Sequence, residues 1–160
     1  MKDFISMLVL TALTYLVIAI ASRVALADGS IRMPTERLPS YQTECASCHL
    51  AYPPGLLSTQ SWSAIMSSLS KHYGTDASLD TKDMQAISTW LTQYAGSYKR
   101  VTEAPPENRI TQSYWFQKKH RKVKAGDFAK PSVKSAANCN ACHRQAEQGN
   151  FDDDDVHIPR

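Results

Sequence analysis

Two short runs of cysteine and histidine are the residues of this sequence best suited to chemistry. Each run has the form Cys-x-x-Cys-His, and together they comprise Cys45, Cys48, His49, Cys139, Cys142 and His143. Two thiols at this spacing, followed directly by histidine, are the attachment pattern of a c-type haem, in which the sulfurs add to the two vinyl groups and the histidine ligates iron. The runs use all four cysteines of the chain. The sequence therefore predicts two covalently attached haem c groups.

The spacing within each run also predicts local structure. Residues i, i+3 and i+4 share one face of a helix, so we expect each run to lie on a helix, at residues 41–50 and 133–148. Zinc held by two Cys-x-x-Cys knuckles is the competing interpretation. Such knuckles usually lie about 15 to 20 residues apart, whereas most of the chain separates Cys48 from Cys139. The separation and the following histidines favour haem over zinc.

Two further histidines are candidates for the opposite side of each iron. His72 lies near the edge of an apolar stripe that begins at Trp62, and His120 lies one helical turn beyond Phe116 in an aromatic and basic segment. No methionine occurs after Met84, so the second iron has no thioether ligand nearby in sequence. We expect His72 and His120 to ligate iron. The alternative is that both are ordinary core or surface histidines.

The N-terminus has the composition of an export signal. Lys2 precedes an apolar run over residues 4–21, and Ala25-Leu26-Ala27 provides the small residues of a cleavage site. This pattern predicts a signal peptide over residues 1–27 that is cleaved after Ala27. An uncleaved anchor helix is the alternative, because the run is nearly long enough to cross a bilayer. Either way the remainder is exported, which argues against nucleic acid as the partner of its basic residues.

The rest of the chain predicts an all-α fold. Apolar residues at three- and four-residue steps predict helices at residues 62–73 and 81–94, the second with Asp80 as N-cap and with Leu79 and Met84 as a hydrophobic staple. A Pro-rich linker at residues 103–107 divides the 160-residue chain. We expect a first haem lobe at residues 28–98, too small to form much core without its haem, and a second lobe at residues 99–160.

The C-terminal tail contains four consecutive aspartates at residues 152–155 and then His157. The spaced ligands and the glycine of an EF-hand calcium loop are absent from it. We therefore expect a solvated acidic tail, paired with the basic residues 118–124, and an unligated His157.

Taken together, several segments resemble the periplasmic dihaem cytochromes c of the DHC type. They are Cys45-x-x-Cys-His49, the 62–74 segment bearing His72, Trp115-Phe116-x-x-x-His120-Arg121, Cys139-x-x-Cys-His143 and the last thirteen residues, Gln148 to Arg160. The resemblance implies a class I cytochrome c-like first lobe and a less regular second lobe. It implies that His49 and His72 ligate the first iron, and that His143 and His120 ligate the second. It also implies electron transfer from a membrane cytochrome b561-type donor to a small monohaem cytochrome acceptor.

Ligation on both faces of a haem leaves no open site for substrate, which favours electron transfer over oxygen or peroxide chemistry. Histidine in place of methionine as the sixth ligand also lowers the reduction potential. We therefore expect a low-potential electron carrier without enzymatic activity, which meets the membrane only through a partner or an uncleaved leader. The alternative is a dihaem peroxidase or thiosulfate-type oxidoreductase with one labile haem ligand.

Overall fold

The structure, a computed structural model, describes residue 31 and residues 33–159. The α-helices of this part of the chain are α1 (Pro39–Cys45), α2 (Thr59–Met66), α3 (Thr81–Gln93), α4 (Tyr114–Lys119) and α5 (Ala125–Phe128). Single 3₁₀ turns lie between and after them, at Pro54–Leu56, Leu69–Lys71, Lys99–Val101, Pro106–Asn108, Ile110–Gln112, Cys139–Ala141, Ala146–Gln148 and Asp153–Asp155. Residues 33–159 contain no β-strand, only two isolated bridges. The predicted all-α class is confirmed, and the predicted leader lies outside the described residues.

The core forms where α2 and α3 pack against each other. The Asp80 side chain accepts a hydrogen bond from the Asp83 backbone N–H at 2.9 Å, as expected for the N-cap of α3. Leu79 and Met84, the predicted staple, both pack against the core. The buried residues of this cluster are Met33, Tyr41, Ala51, Leu57, Trp62, Met66, Ile87, Trp90 and Leu91. Five of these nine residues lie in the two segments where apolar periodicity predicted helices, and the other four, Met33, Tyr41, Ala51 and Leu57, lie outside them.

The helix predicted over residues 62–73 is shorter than expected. Helix α2 ends at Met66, and His72 follows a separate 3₁₀ turn. The hydroxyls of Ser67 and Ser68 both donate to the carbonyl oxygen of Ala64, at 2.9 and 2.8 Å. Such bonds compete with the next helical N–H for the carbonyl, so the helix stops here. His72 is therefore presented by a turn and not by a helical stripe.

The prediction of a helix over residues 133–148 is wrong. Only the turns Cys139–Ala141 and Ala146–Gln148 are helical in this segment, and both are 3₁₀. Asn138 Nδ2 donates to the Val133 carbonyl oxygen at 2.9 Å, and Ser135 Oγ accepts from the Ala137 N–H at 3.1 Å. These side chains satisfy backbone groups outside a helix. Gly149 ends the segment in the left-handed conformation at φ 78°.

The second half of the described chain buries little apolar surface. Beyond Tyr98 the buried apolar side chains are Val101, Phe116, Val133 and Ala146. Ile31–Arg160 form one compact unit, and the division into two haem lobes at residue 98 stays a prediction. Within residues 33–159 no helix combines the length and apolar character that a membrane crossing requires.

Candidate functional site

The first Cys-x-x-Cys-His run begins on a helix and leaves it at once. Cys45 is the last residue of α1, whereas Cys48 and His49 lie in the loop that follows. The Ser47 hydroxyl donates to the carbonyl oxygen of Glu44 at 2.8 Å and helps to turn the chain there. The prediction that residues 41–50 form one helix is therefore wrong. The loop itself, and not a helical face, presents these three side chains.

His49 and His72 face each other across the first candidate site. Their ring centroids lie 6.0 Å apart, with an angle of 23° between the ring planes. The Nδ1 atom of His49 lies 2.7 Å from the carbonyl oxygen of Leu50, so an N–H at this position would donate to it. That tautomer leaves Nε2 free as a metal ligand. Tyr52 stacks on His49 with a centroid distance of 4.9 Å.

His120 and His143 form a second pair. His120 caps the C-terminus of α4, and its Nδ1 atom lies 2.9 Å from the carbonyl oxygen of Phe116 one turn earlier. Its ring centroid lies 6.1 Å from that of His143, and the two planes are 78° apart. Aromatic rings surround the pair: Phe116 stacks on His120 at 3.9 Å, and Phe151 lies 5.3 Å from His143.

Both histidine pairs have the separation that a shared iron requires. Two imidazoles bound to one metal from opposite sides, by bonds of about 2 Å, have ring centres roughly 6 Å apart. The two planes can take any twist about the common axis, so 23° and 78° both satisfy this arrangement. Trp115 Nε1 is buried without an acceptor among the described residues, and haem propionates are acceptors of the kind it needs. The residues present fit two haems.

Burial sets the protonation of the remaining site groups. It raises the pKa of the Cys45 and Cys139 thiols to about 11, with Glu44 adding to the effect at Cys45. These sulfurs are therefore neutral at pH 7, and the four cysteines of the described chain form no disulfide. Burial also lowers the pKa of His72 and His143, each helped by the opposing histidine. A neutral imidazole is the form that binds a metal.

Contacts across the chain connect the two Cys-x-x-Cys-His runs. The Tyr52 hydroxyl donates to the carbonyl oxygen of Ala137 at 2.7 Å, two residues before Cys139. Arg37 donates to the carbonyl oxygen of Glu147 at 3.1 Å. The sequence did not predict this role for Tyr52, although its position three residues after His49 was a possible signal. Nor did it predict the contact of Phe128, whose ring lies 6.2 Å from that of His120.

The acidic tail folds back on the second run. The His157 backbone N–H donates to the Cys142 carbonyl oxygen at 2.9 Å, and Val156 forms a bridge with His143. The Lys119 ammonium lies 3.6 Å from the Asp153 carboxylate, with both side chains more than half exposed. One basic residue of segment 118–124 thus meets the tail as expected. The His157 side chain is exposed, and residues 33–159 contain no group of three or more His, Cys, Asp or Glu side chains that could hold a metal ion.

Comparison with known proteins supports the haem interpretation. The family model of dihaem cytochrome c (DHC) matches residues 41–151. A solved structure of a dihaem cytochrome c from Shewanella baltica is 37% identical, covering 76% of this chain and 92% of that one, with a TM-score of 0.67. A dihaem cytochrome c from Rhodobacter sphaeroides is 35% identical, covering 75% of this chain and 99% of that one, with a TM-score of 0.65. A search of curated proteins gave no match. The family match spans more than half of the sequence, so the resemblance is confirmed: the chain belongs to the dihaem cytochrome c family, and it binds two haem groups.

Proposed function

We propose that the chain is a periplasmic electron carrier with two low-potential haems, each ligated by two histidines. In this proposal His49 and His72 hold the first iron, and His120 and His143 hold the second. The thioether bonds are made by Cys45, Cys48, Cys139 and Cys142. The observation that supports this most is the separation of the histidine rings, 6.0 Å in one pair and 6.1 Å in the other.

The protein contributes to this function by holding the histidine ligands of each iron and by keeping other molecules from binding there. When bound, each haem supplies a one-electron ferric–ferrous couple, so that one electron from a donor is passed on to an acceptor. Histidines on both faces keep substrates from the iron, which suits a carrier and not an enzyme. Carbonyl groups behind His49 and His120 accept their Nδ1–H bonds, and this makes the imidazoles stronger donors. Stronger ligands favour the ferric state and lower the potential.

The proposal extends to the partners. A membrane cytochrome b561-type donor and a small monohaem cytochrome acceptor are the partners that the family resemblance implies. Exposed basic residues adjoin the proposed ligand His120 and suit docking of an acidic protein near the second haem. They are Lys118, Lys119, Arg121, Lys122 and Lys124.

Spectroscopy of the purified protein tests the ligation. We expect a mass increase equal to two haems, sharp α-bands in the reduced form, and two low-spin bis-imidazole signals by electron paramagnetic resonance. Carbon monoxide should not bind to the ferrous protein at neutral pH. A high-spin signal or carbon monoxide binding in the untreated protein would instead favour a peroxidase or thiosulfate-type enzyme with a vacant or exchangeable position.

A further inference from the structure

The turn that carries His72 is tight and has an uncommon backbone. The Thr75 N–H donates to the His72 carbonyl oxygen at 3.0 Å. Between these residues, Tyr73 has φ 51° and Gly74 has φ 99°. Glycine adopts positive φ freely, but tyrosine does so only where its surroundings hold it there. The contacts of Tyr73 therefore determine how firmly the turn holds His72.

Tyr73 is held by a second strained segment. Its hydroxyl donates to the carbonyl oxygen of Glu107 at 3.0 Å. The guanidinium carbon of Arg109 lies 4.1 Å from the centre of the Tyr73 ring, and Arg109 Nε lies 2.8 Å from the Glu107 carboxylate. Glu107 and Asn108 also have positive φ, at 53° and 55°. We call Tyr73, Glu107 and Arg109 the clasp.

The strained backbone of the clasp distinguishes it from an ordinary surface ion pair. The side chains of Arg109 and Glu107 are 38% and 67% exposed, and exposed pairs contribute little stability. Yet Tyr73, Glu107 and the neighbouring Asn108 are three of the four non-glycine residues with positive φ within residues 33–159. Strained backbone of this kind concentrates at ligand clamps. The clasp closes directly behind His72, whose ring lies 4.8 Å from that of Tyr73.

Of the two proposed ligands of the first haem, only His72 depends on the clasp to hold it in place. Thioether bonds and His49 fix it from the segment 45–49, whereas His72 comes from a turn that has no covalent link to the haem. The charge of Arg109 also lies near the site, because its guanidinium stacks on Tyr73, whose ring centre lies 4.8 Å from that of His72. A nearby positive charge favours the ferrous state, since reduction adds an electron.

We propose that Arg109 is a positioning residue for the first haem: stacked on Tyr73, it holds the His72 turn in place, and its charge raises the reduction potential of that haem. This inference rests on the proposed ligation by His49 and His72. The effects of stacking and of charge can be separated. Arg109→Lys keeps the positive charge but removes the flat guanidinium, and Tyr73→Leu removes the aromatic surface but leaves the charge of Arg109 in place.

The test uses the full-length protein with both haems, in the variants Arg109→Gln, Arg109→Lys and Tyr73→Leu. Potentiometry and carbon monoxide binding at neutral pH are measured for each. Arg109→Gln should lower one potential and leave the other unchanged, and one of its haems should bind carbon monoxide, which the parent protein does not. Arg109→Lys should restore the potential but not the resistance to carbon monoxide. Tyr73→Leu should also bind carbon monoxide at one haem.

Two controls distinguish the clasp from general effects. Arg144→Gln removes an exposed arginine next to His143 and should leave the first haem closed to carbon monoxide. Asp80→Ala removes the N-cap of α3 outside the clasp and controls for lost stability. Fully loaded Arg109→Gln and Tyr73→Leu proteins with unchanged potentials and no carbon monoxide binding would overturn the inference. Carbon monoxide binding by the parent protein would overturn the bis-histidine ligation itself, and the inference with it.

Discussion

At the scale of single residues, the two proposed haem sites support their ligands alike but orient them differently. In each pair one histidine has a backbone carbonyl behind its Nδ1 atom: Leu50 for His49 and Phe116 for His120. The pairs differ in ring orientation, which is near-parallel in the first and near-perpendicular in the second. The two low-spin signals should therefore be distinguishable, since the orientation of axial ligands shapes the electronic structure of the iron.

Replacing one ligand tests each pair separately. His72→Met should raise one reduction potential by on the order of 0.1 V, within the ~0.8 V range that axial ligands span, because a thioether favours the ferrous state. His120→Met should raise the other. Spectroelectrochemical titration measures both potentials in each variant. His157→Met is the matched control and should shift neither; a variant at position 72 or 120 with both potentials unchanged would contradict its assignment as a ligand.

The sequence was most informative at this scale where chemistry restricts the residue type. Only cysteine can form a thioether bond with a haem vinyl group and only histidine carries an imidazole, so spacing was enough to select the residues of the two Cys-x-x-Cys-His runs. The supporting residues carry no such restriction. Phe128 contacts His120 and Arg109 stacks on Tyr73, but any large aromatic or cationic side chain looks equally plausible in sequence. These roles depend on contacts between distant segments, and a single sequence does not contain them.

At the scale of elements, apolar periodicity predicted the helices that pack on one another, whereas the helices predicted from the spacing of the Cys-x-x-Cys-His runs are wrong. Helix α3 runs from Thr81 to Gln93 almost as expected, because its apolar face is buried against α2. The segments around Cys48 and Cys142 form turns. Serine and asparagine side chains there bond to the backbone and select turns instead.

Two glycines offer a matched test of packing between elements. A Cβ atom at Gly96 would lie 2.6 Å from the Gly55 carbonyl oxygen and 2.6 Å from Val101 Cγ2, so Gly96→Ala should destabilise the protein by about 1–3 kcal/mol. A Cβ atom at Gly126, in α5, would meet nothing within 4 Å. Gly126→Ala should therefore be neutral or stabilise by up to ~1 kcal/mol. Urea unfolding of both holoproteins gives the free energies, and equal effects would show that the close approach at Gly96 is unimportant.

At the scale of the whole molecule, apolar burial is unevenly distributed. The main core draws on residues between Met33 and Leu91, whereas the second Cys-x-x-Cys-His run lies in a segment of turns with few buried side chains. The Tyr52 hydroxyl and the Arg37 guanidinium each donate to a backbone carbonyl near that run. The better-packed half thus supports the weaker half. Sequence patterns could indicate that the first lobe was too small to form much core alone, but not which contacts join it to the rest of the chain.

Charge on the second half gives the last prediction. The basic residues of segment 118–124 surround His120, and the tail carboxylate of Asp153 meets only one of them, Lys119. An acidic redox protein should therefore be attracted to this surface, with an association rate that falls as salt screens the charges. Stopped-flow reduction by an acidic flavodoxin hydroquinone, measured across a range of ionic strength, should show this fall.

Charge reversal then locates the surface. Lys118→Glu combined with Lys122→Glu should slow reduction at low salt by roughly tenfold, as the loss of steering predicts, and should flatten the salt dependence. Lys82→Glu, in the first turn of α3, reverses an exposed charge elsewhere and should change the rate much less. The rates of all variants should converge at high salt, because screening removes the difference. A parent rate that is flat in salt, or an equal effect of Lys82→Glu, would mean that the surface around His120 is not where an acidic partner docks.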